Sequence, residues 1–286
     1  MLAGVEGAGT WQVDSGGGYI YYFKTLIWGL GWGLLLLSTA GIVTAFIRHD
    51  PIDLIILSLP VLLFVYLGRQ HLYFGRFMLP LIPAMLILAS SFLEKFVVSI
   101  FTTASSQRLA FILFAIIIGG QPLITAIRFD MLISRVDTRT LAKQWIEENI
   151  PEDTGIAMDW PYHCAPLSTV EKPLAEANRN YKVWVSDFGF GEGLFEHPLE
   201  WYTENGYDFL VACSFIYQIP LIDENKNTLR NAYYESLEQN LVLIKEFRPV
   251  DGGKDPDFIF DEIYGPAISL WQRERPGPTL RIYQIH

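Results

Sequence analysis

Long uncharged stretches broken by short polar segments fill the first half of this chain and are missing from the second. Thr25–Ile47 is a run of 23 uncharged residues between Lys24 and Arg48, rich in Leu, Ile, Gly and Trp. About twenty apolar residues cross a bilayer as a helix, so the run predicts a membrane span, with Trp28 and Trp32 near its start as interfacial aromatics. His49-Asp50-Pro51 breaks the chain. Leu54–Gly68 is a second uncharged run, 15 residues long with Pro60 inside it, and predicts a short or kinked span. Phe77–Leu93 gives 17 more, with Pro80 and Pro83 in its first turns and Glu94-Lys95 closing it at the interface. Leu109–Ile127, between Arg108 and Arg128, gives a further 19. Four spans would put the segments before the first and after the last on one side of the membrane.

Beyond residue 132 the periodicity becomes that of a water-facing α/β domain. Asp137 is a suitable N-cap, and Leu141, Ala142, Trp145 and Ile146 recur at helical spacing through Thr138–Ile150, with Pro151 ending the helix. Gly155–Met158, Val183–Val185, Phe209–Cys213, Leu241–Ile244 and Leu280–Ile285 read as strands, and Asn227–Gln239 as a helix between two of them. The expected architecture is a multi-pass α-helical membrane region of about four spans followed by a small α/β soluble domain. The expected divisions are 1–24 as a polar N-terminal segment, 25–132 as the transmembrane region and 133–286 as the α/β domain.

Charge sharpens this division. Residues 1–132 carry seven Lys/Arg against six Asp/Glu, and residues 133–286 carry fourteen against twenty-five. Hydrophobic residues make up 51% of the 286 and charged ones only 18%, with a mean hydropathy of +0.25, which excludes a disordered chain. An acidic second half with no clustered Lys/Arg argues against nucleic acid as a partner. The Gly-rich, non-basic first 24 residues do not read as a cleavable signal. Cys164 and Cys213 are the only cysteines. They are too few and too far apart for a disulfide framework or zinc site, and Cys213 lies in an apolar run that predicts burial. A disulfide between them stays open.

Candidate chemistry concentrates in the polar loop Arg69-Gln70-His71-Leu72-Tyr73-Phe74-Gly75-Arg76. Arg69, His71 and Arg76 can be cationic, and Tyr73 adds a hydroxyl, a set able to hold the phosphate of a lipid-linked donor. Spacing alone better fits arginines that anchor helix ends at the headgroups. Asp159 and His163, four apart, are metal-ligand types, but Pro161 between them disfavours a shared helical face and no third ligand lies nearby in sequence. Asp187-Phe188-Gly189 spells the kinase magnesium triplet without the other kinase parts and reads as coincidence. Glu192, Glu196 and His197 decorate the loop after it.

Arg76-Phe77-Met78-Leu79-Pro80-Leu81-Ile82-Pro83-Ala84 resembles the Arg-Tyr-Leu-Leu-Pro-Leu-Leu-Pro-Ala stretch of multi-spanning, lipid-phosphosugar-dependent glycosyltransferases. That superfamily includes the protein O-mannosyltransferases and the aminoarabinose transferases. Lys24–Gly31 is similar to one of their late spans, Thr138–Pro151 to the start of the exported domain of bacterial members, and Arg275–Tyr283 to their C-terminal strand. The resemblance implies transfer of a sugar from a polyprenyl-phosphate donor to an acceptor hydroxyl, in the plasma membrane, with the tail domain extracytoplasmic. It implies Arg76 as the lipid-phosphate contact, with Arg69, His71 and Tyr73 behind it. The charges flanking the spans, three on one side and four on the other, set no orientation by themselves.

The departure from the family is as informative. Its members have around a dozen spans, with the catalytic acidic residue in the first exported loop. This chain resembles only their C-terminal part, and its catalytic residue is unassigned. The expectation is a chain inactive alone, either a truncated product or the partner of a separate N-terminal half. No cofactor is expected in this chain, though a divalent metal could serve the complete enzyme. Two rival expectations remain: a non-enzymatic membrane-anchored protein whose acidic domain binds a partner or serves as an assembly subunit, and a transporter-like component, disfavoured by the lack of mid-span charge.

Overall fold

The computed structural model describes residues 18–70, 74–160, 163–169, 179–186, 192–219, 221, 223–253, 255–256, 258, 265 and 269–285. The chain forms two compact units, a helical one over Val13–Asp130 and an α/β one that includes Met131–His286.

The helical unit contains α1 (Gly18–Arg48), α2 (Pro51–Gly68), α3 (Leu81–Ile100) and most of α4 (Ala104–Ile133). Among the described residues four helices are long and apolar enough to cross a membrane, which makes this a multi-pass membrane protein. The break between α1 and α2 has a local cause. His49 takes φ 56°, Asp50 accepts the Ile52 N–H at 2.9 Å, and Pro51 opens α2, where its missing N–H costs nothing. α3 packs on both α1 and α2.

The helices do not stop where the apolar runs stop. α1 starts at Gly18, before Lys24, so Trp32 lies near its middle rather than near its start. The third helix begins at Leu81, because Gly75–Met78 forms a 3-10 turn first and Pro80 serves as the N-cap. It then runs through Glu94-Lys95 to Ile100, since both residues are good helix formers and charge alone ends a span, not a helix. Pro60 is accommodated within α2.

α1 is interrupted at Gly31, whose φ of 73° and ψ of 166° lie outside the helical region. The Trp32 N–H donates instead to Gln121 Oε1 of α4, at 3.1 Å. A Cβ on Gly31 would lie 2.9 Å from Gln121 Cδ and Oε1, so glycine is needed both for the angle and for the approach. Within a bilayer a freed backbone N–H must find a protein partner, and the Gln121 side chain supplies one.

The α/β unit opens with α5 (Thr138–Asn149), capped by Asp137, which accepts the Arg139 N–H at 2.8 Å, and closed at Ile150 before Pro151. β1 (Gly155–Met158), β2 (Lys182–Val185), β3 (Phe209–Cys213), β4 (Val242–Phe247) and β5 (Leu280–Gln284) form one sheet in the order β2-β1-β3-β5-β4. β1 pairs parallel with β2 and β3, while β5 runs antiparallel to β3 and β4. The short helices α6 (Leu199–Glu204) and α7 (Ser214–Tyr217) flank β3, and α8 (Glu224–Asn240) precedes β4. The predicted strands match to within a residue or two except at β4. Leu241 instead caps α8, giving its N–H to the Leu237 carbonyl at 3.0 Å, and the strand runs on to Phe247. α8 starts three residues earlier than predicted because Asp223 accepts the N–H groups of Asn225 and Lys226.

Strand alternation divides the core into two layers. Ile156, Met158, Val211, Cys213, Leu280 and Ile282 pack with Ala142 and Ile146 of α5. Ala157, Leu210, Ala212 and Tyr283 face the other way, onto Tyr202 of α6 and Tyr234 and Leu237 of α8. β1 is buried along its whole length, as a central parallel strand covered on both faces must be.

Candidate functional site: a cationic turn and a buried carboxylate

Of the four residues expected to hold a lipid phosphate, two are placed. Arg69 caps the C-terminus of α2 and is exposed. Arg76 is exposed in the 3-10 turn Gly75–Met78. His71 and Tyr73 lie between them, outside the described residues. The Arg76 guanidinium sits over the Phe74 ring, 4.3 Å from its centroid, and 5.8 Å from that of Phe77. Phe74 is itself buried and its carbonyl accepts the Phe77 N–H at 3.0 Å, so the ring that carries the cation is fixed.

The α/β unit holds a second constellation that local sequence did not reveal. In this topology β1 connects outward to β2 and the chain then crosses to β3, so the C-terminal ends of β1 and β3 border a switch point, where open α/β sheets bind ligands. Asp159 follows β1 directly and is fully buried. Its Oδ1 accepts the Leu194 N–H at 2.9 Å and the Tyr234 hydroxyl at 2.5 Å, and its Oδ2 accepts the Cys213 N–H at 2.7 Å. Burial pushes its carboxyl up to about 6, against the lowering effect of these bonds. Gly193 brings Leu194 into place, its own N–H donating to Glu196 Oε1 at 2.7 Å. The carboxylate is thus held by three internal donors, from Leu194, Cys213 and Tyr234.

His163 is buried, edge-on to Trp160 at 4.6 Å and to Phe215 at 6.1 Å, and burial lowers its pKa to about 4. It is therefore a neutral imidazole among aromatics. Among the described residues no group of three or more His, Cys, Asp or Glu is placed to hold a metal ion. Cys164 and Cys213 are both buried free thiols, which answers the open disulfide question. The Cys213 Sγ donates to the His163 carbonyl at 2.6 Å, and burial raises both thiols well above their ordinary range. Asp187-Phe188-Gly189 lies outside the described residues. His197 stacks on Trp201 at 3.9 Å.

A cleft of about 160 Å³ opens beside Tyr234, lined by Tyr217, Asn231, Glu235, Glu238 and Arg281 among others. Arg281 Nε donates to Glu246 Oε1 at 2.8 Å and its Nη1 to Glu238. Two carboxylates on one guanidinium leave this cleft without a net positive charge to offer an anion.

Sequence reasoning missed the carboxylate network because its members lie 35, 54 and 75 positions from Asp159. The available signal was an acidic residue placed directly after a wholly apolar strand. Compared with family models, curated proteins and solved structures, the chain matches none.

Proposed function

We propose that this chain is the C-terminal portion of an integral-membrane glycosyltransferase that takes its sugar from a polyprenyl-phosphate donor, with the α/β domain on the extracytoplasmic side. The observation that carries this reading is Arg76, held on the Phe74 ring at the entrance to the Pro80/Pro83 helix and exposed there. In the reaction an acceptor oxygen, losing its proton to a carboxylate, attacks the anomeric carbon. The bond from that carbon to the phosphate oxygen breaks, and the leaving lipid phosphate keeps the electron pair. Arg76, with Arg69 behind it, stabilises that charge. The carboxylate base is not assigned to this chain. Asp159 is unsuited to the task because it is fully buried and already holds three internal donors.

The test is binding of a polyprenyl phosphate to the full chain in nanodiscs, titrated against salt. A charge-assisted phosphate contact contributes about 1.5–3 kcal/mol, so Arg76→Ala should weaken binding roughly 10- to 100-fold, with Arg76→Lys in between. Binding unchanged by Arg76→Ala would refute the assignment. No saturable binding at all would favour the membrane-anchored, partner-binding alternative.

A further inference from the structure

Among the described residues of the α/β unit, Trp271 is the only large aromatic side chain left exposed, at 63%. It lies on a turn that is rigidly built. The Ser269 carbonyl accepts the N–H groups of Gln272 and Arg273, at 2.9 and 3.2 Å. The buried Arg273 side chain donates to Ser269 Oγ at 2.5 Å and to the Gly277 carbonyl at 2.7 Å. A fold that fixes the surrounding backbone this firmly while leaving an indole in the open is presenting it to something.

The turn is bonded to the stretch of chain that follows the last membrane helix. Arg135 Nη1 donates to the Glu274 carbonyl at 2.8 Å, the Thr138 N–H to the Pro276 carbonyl at 3.1 Å, and Thr138 Oγ1 to the Pro278 carbonyl at 2.7 Å. The apolar run of α4 ends before Arg128, and the helix ends at Ile133. At about 1.5 Å per residue, Ile133 stands about 8 Å beyond Arg128 along the helix. The headgroup layer is about 6 Å deep on each side of the hydrocarbon core, so the chain around Arg135 emerges at the level of the headgroups or just above them. Exposed Met131, Ile133 and Val136 and the arginines Arg128 and Arg135 belong to this same short stretch. Indole rings partition to that level because their body is apolar and their N–H is polar.

We propose that the Ser269–Pro278 loop is a membrane anchor: the Trp271 indole inserts at the headgroup level of the bilayer that α4 crosses and holds the α/β domain down on the lipid. The occupant of this surface is lipid because the loop is tied by three hydrogen bonds to the exit of a membrane helix. The inference needs only that α4 spans, and it stands apart from the glycosyltransferase reading.

The test uses the full chain in nanodiscs with an NBD fluorophore on Trp271→Cys. A Leu229→Cys protein serves as the control, since Leu229 is 68% exposed on α8, which covers the face of the sheet opposite α5. The native cysteines are both buried, and the labelled wild-type chain sets the background. The probe at 271 should be blue-shifted, quenched at least twofold by lipids carrying a nitroxide near the headgroup, and protected from aqueous iodide, while the probe at 229 should show the reverse. Equal iodide quenching at both positions would overturn the proposal. A blue-shifted 271 probe that no nitroxide lipid quenches would overturn it too, because the indole would then rest on protein.

Discussion

Replacing Asp159 by Asn should remove one specific component of the pH dependence of the α/β unit. The carboxyl is pushed from 3.8 to about 6, first by burial and only partly offset by the bonds from Tyr234, Cys213 and Leu194. The folded state therefore holds this proton more tightly than the unfolded state. Between about pH 4 and pH 6 it binds more protons, so stability present at pH 4 is lost as pH rises and is constant above about 6. Two pKa units correspond to about 3 kcal/mol, or roughly 100-fold in the opening equilibrium. The assay follows from composition: Cys164 and Cys213 are the only thiols, and both are buried in this unit. Their labelling by dithiodipyridine in the full chain in nanodiscs reports opening of the α/β unit, once referenced to the denatured chain at each pH. Other carboxylates titrate in the same window, so the decisive quantity is the wild-type rate divided by the Asp159→Asn rate. That ratio should rise by about two orders of magnitude from pH 4 to pH 6.5. A ratio constant with pH would refute the burial argument, whatever constant offset the lost acceptor introduces.

Two further predictions draw on the same packing. In Gly193→Ala the new methyl would lie 2.8 Å from both Asp159 Oδ1 and the Tyr234 hydroxyl, so thiol labelling should quicken by a factor equivalent to about 1–3 kcal/mol at neutral pH, and an unchanged rate would show that the loop gives way freely. Gln121→Leu removes the acceptor of the Trp32 N–H and should cost about 1–3 kcal/mol in the helical unit, read as a lowered melting temperature in nanodiscs with thiol labelling unaffected; unchanged melting would mean that another group takes the N–H.

Four membrane helices and an α/β unit were legible in the residues alone, because hydropathy and helical or strand period are properties of neighbouring positions. Asp137 and Pro151 marked both ends of α5 by the same local logic, since a cap bonds residues two or three away. Span boundaries were less well read, because a helix can outlast its apolar run, as α3 does through Glu94-Lys95. Tertiary structure alone decided the rest. Gly31 looks like any glycine in an apolar helix until Gln121, 89 positions from Trp32, takes the Trp32 N–H. Asp159 looked like half of an incomplete metal pair with His163, yet the fold gives its oxygens to Leu194, Cys213 and Tyr234 and leaves His163 among aromatic rings. A buried polar group must be satisfied by whatever donors the fold brings near it, and those donors come from strands and helices whose sequence separation carries no information about their proximity.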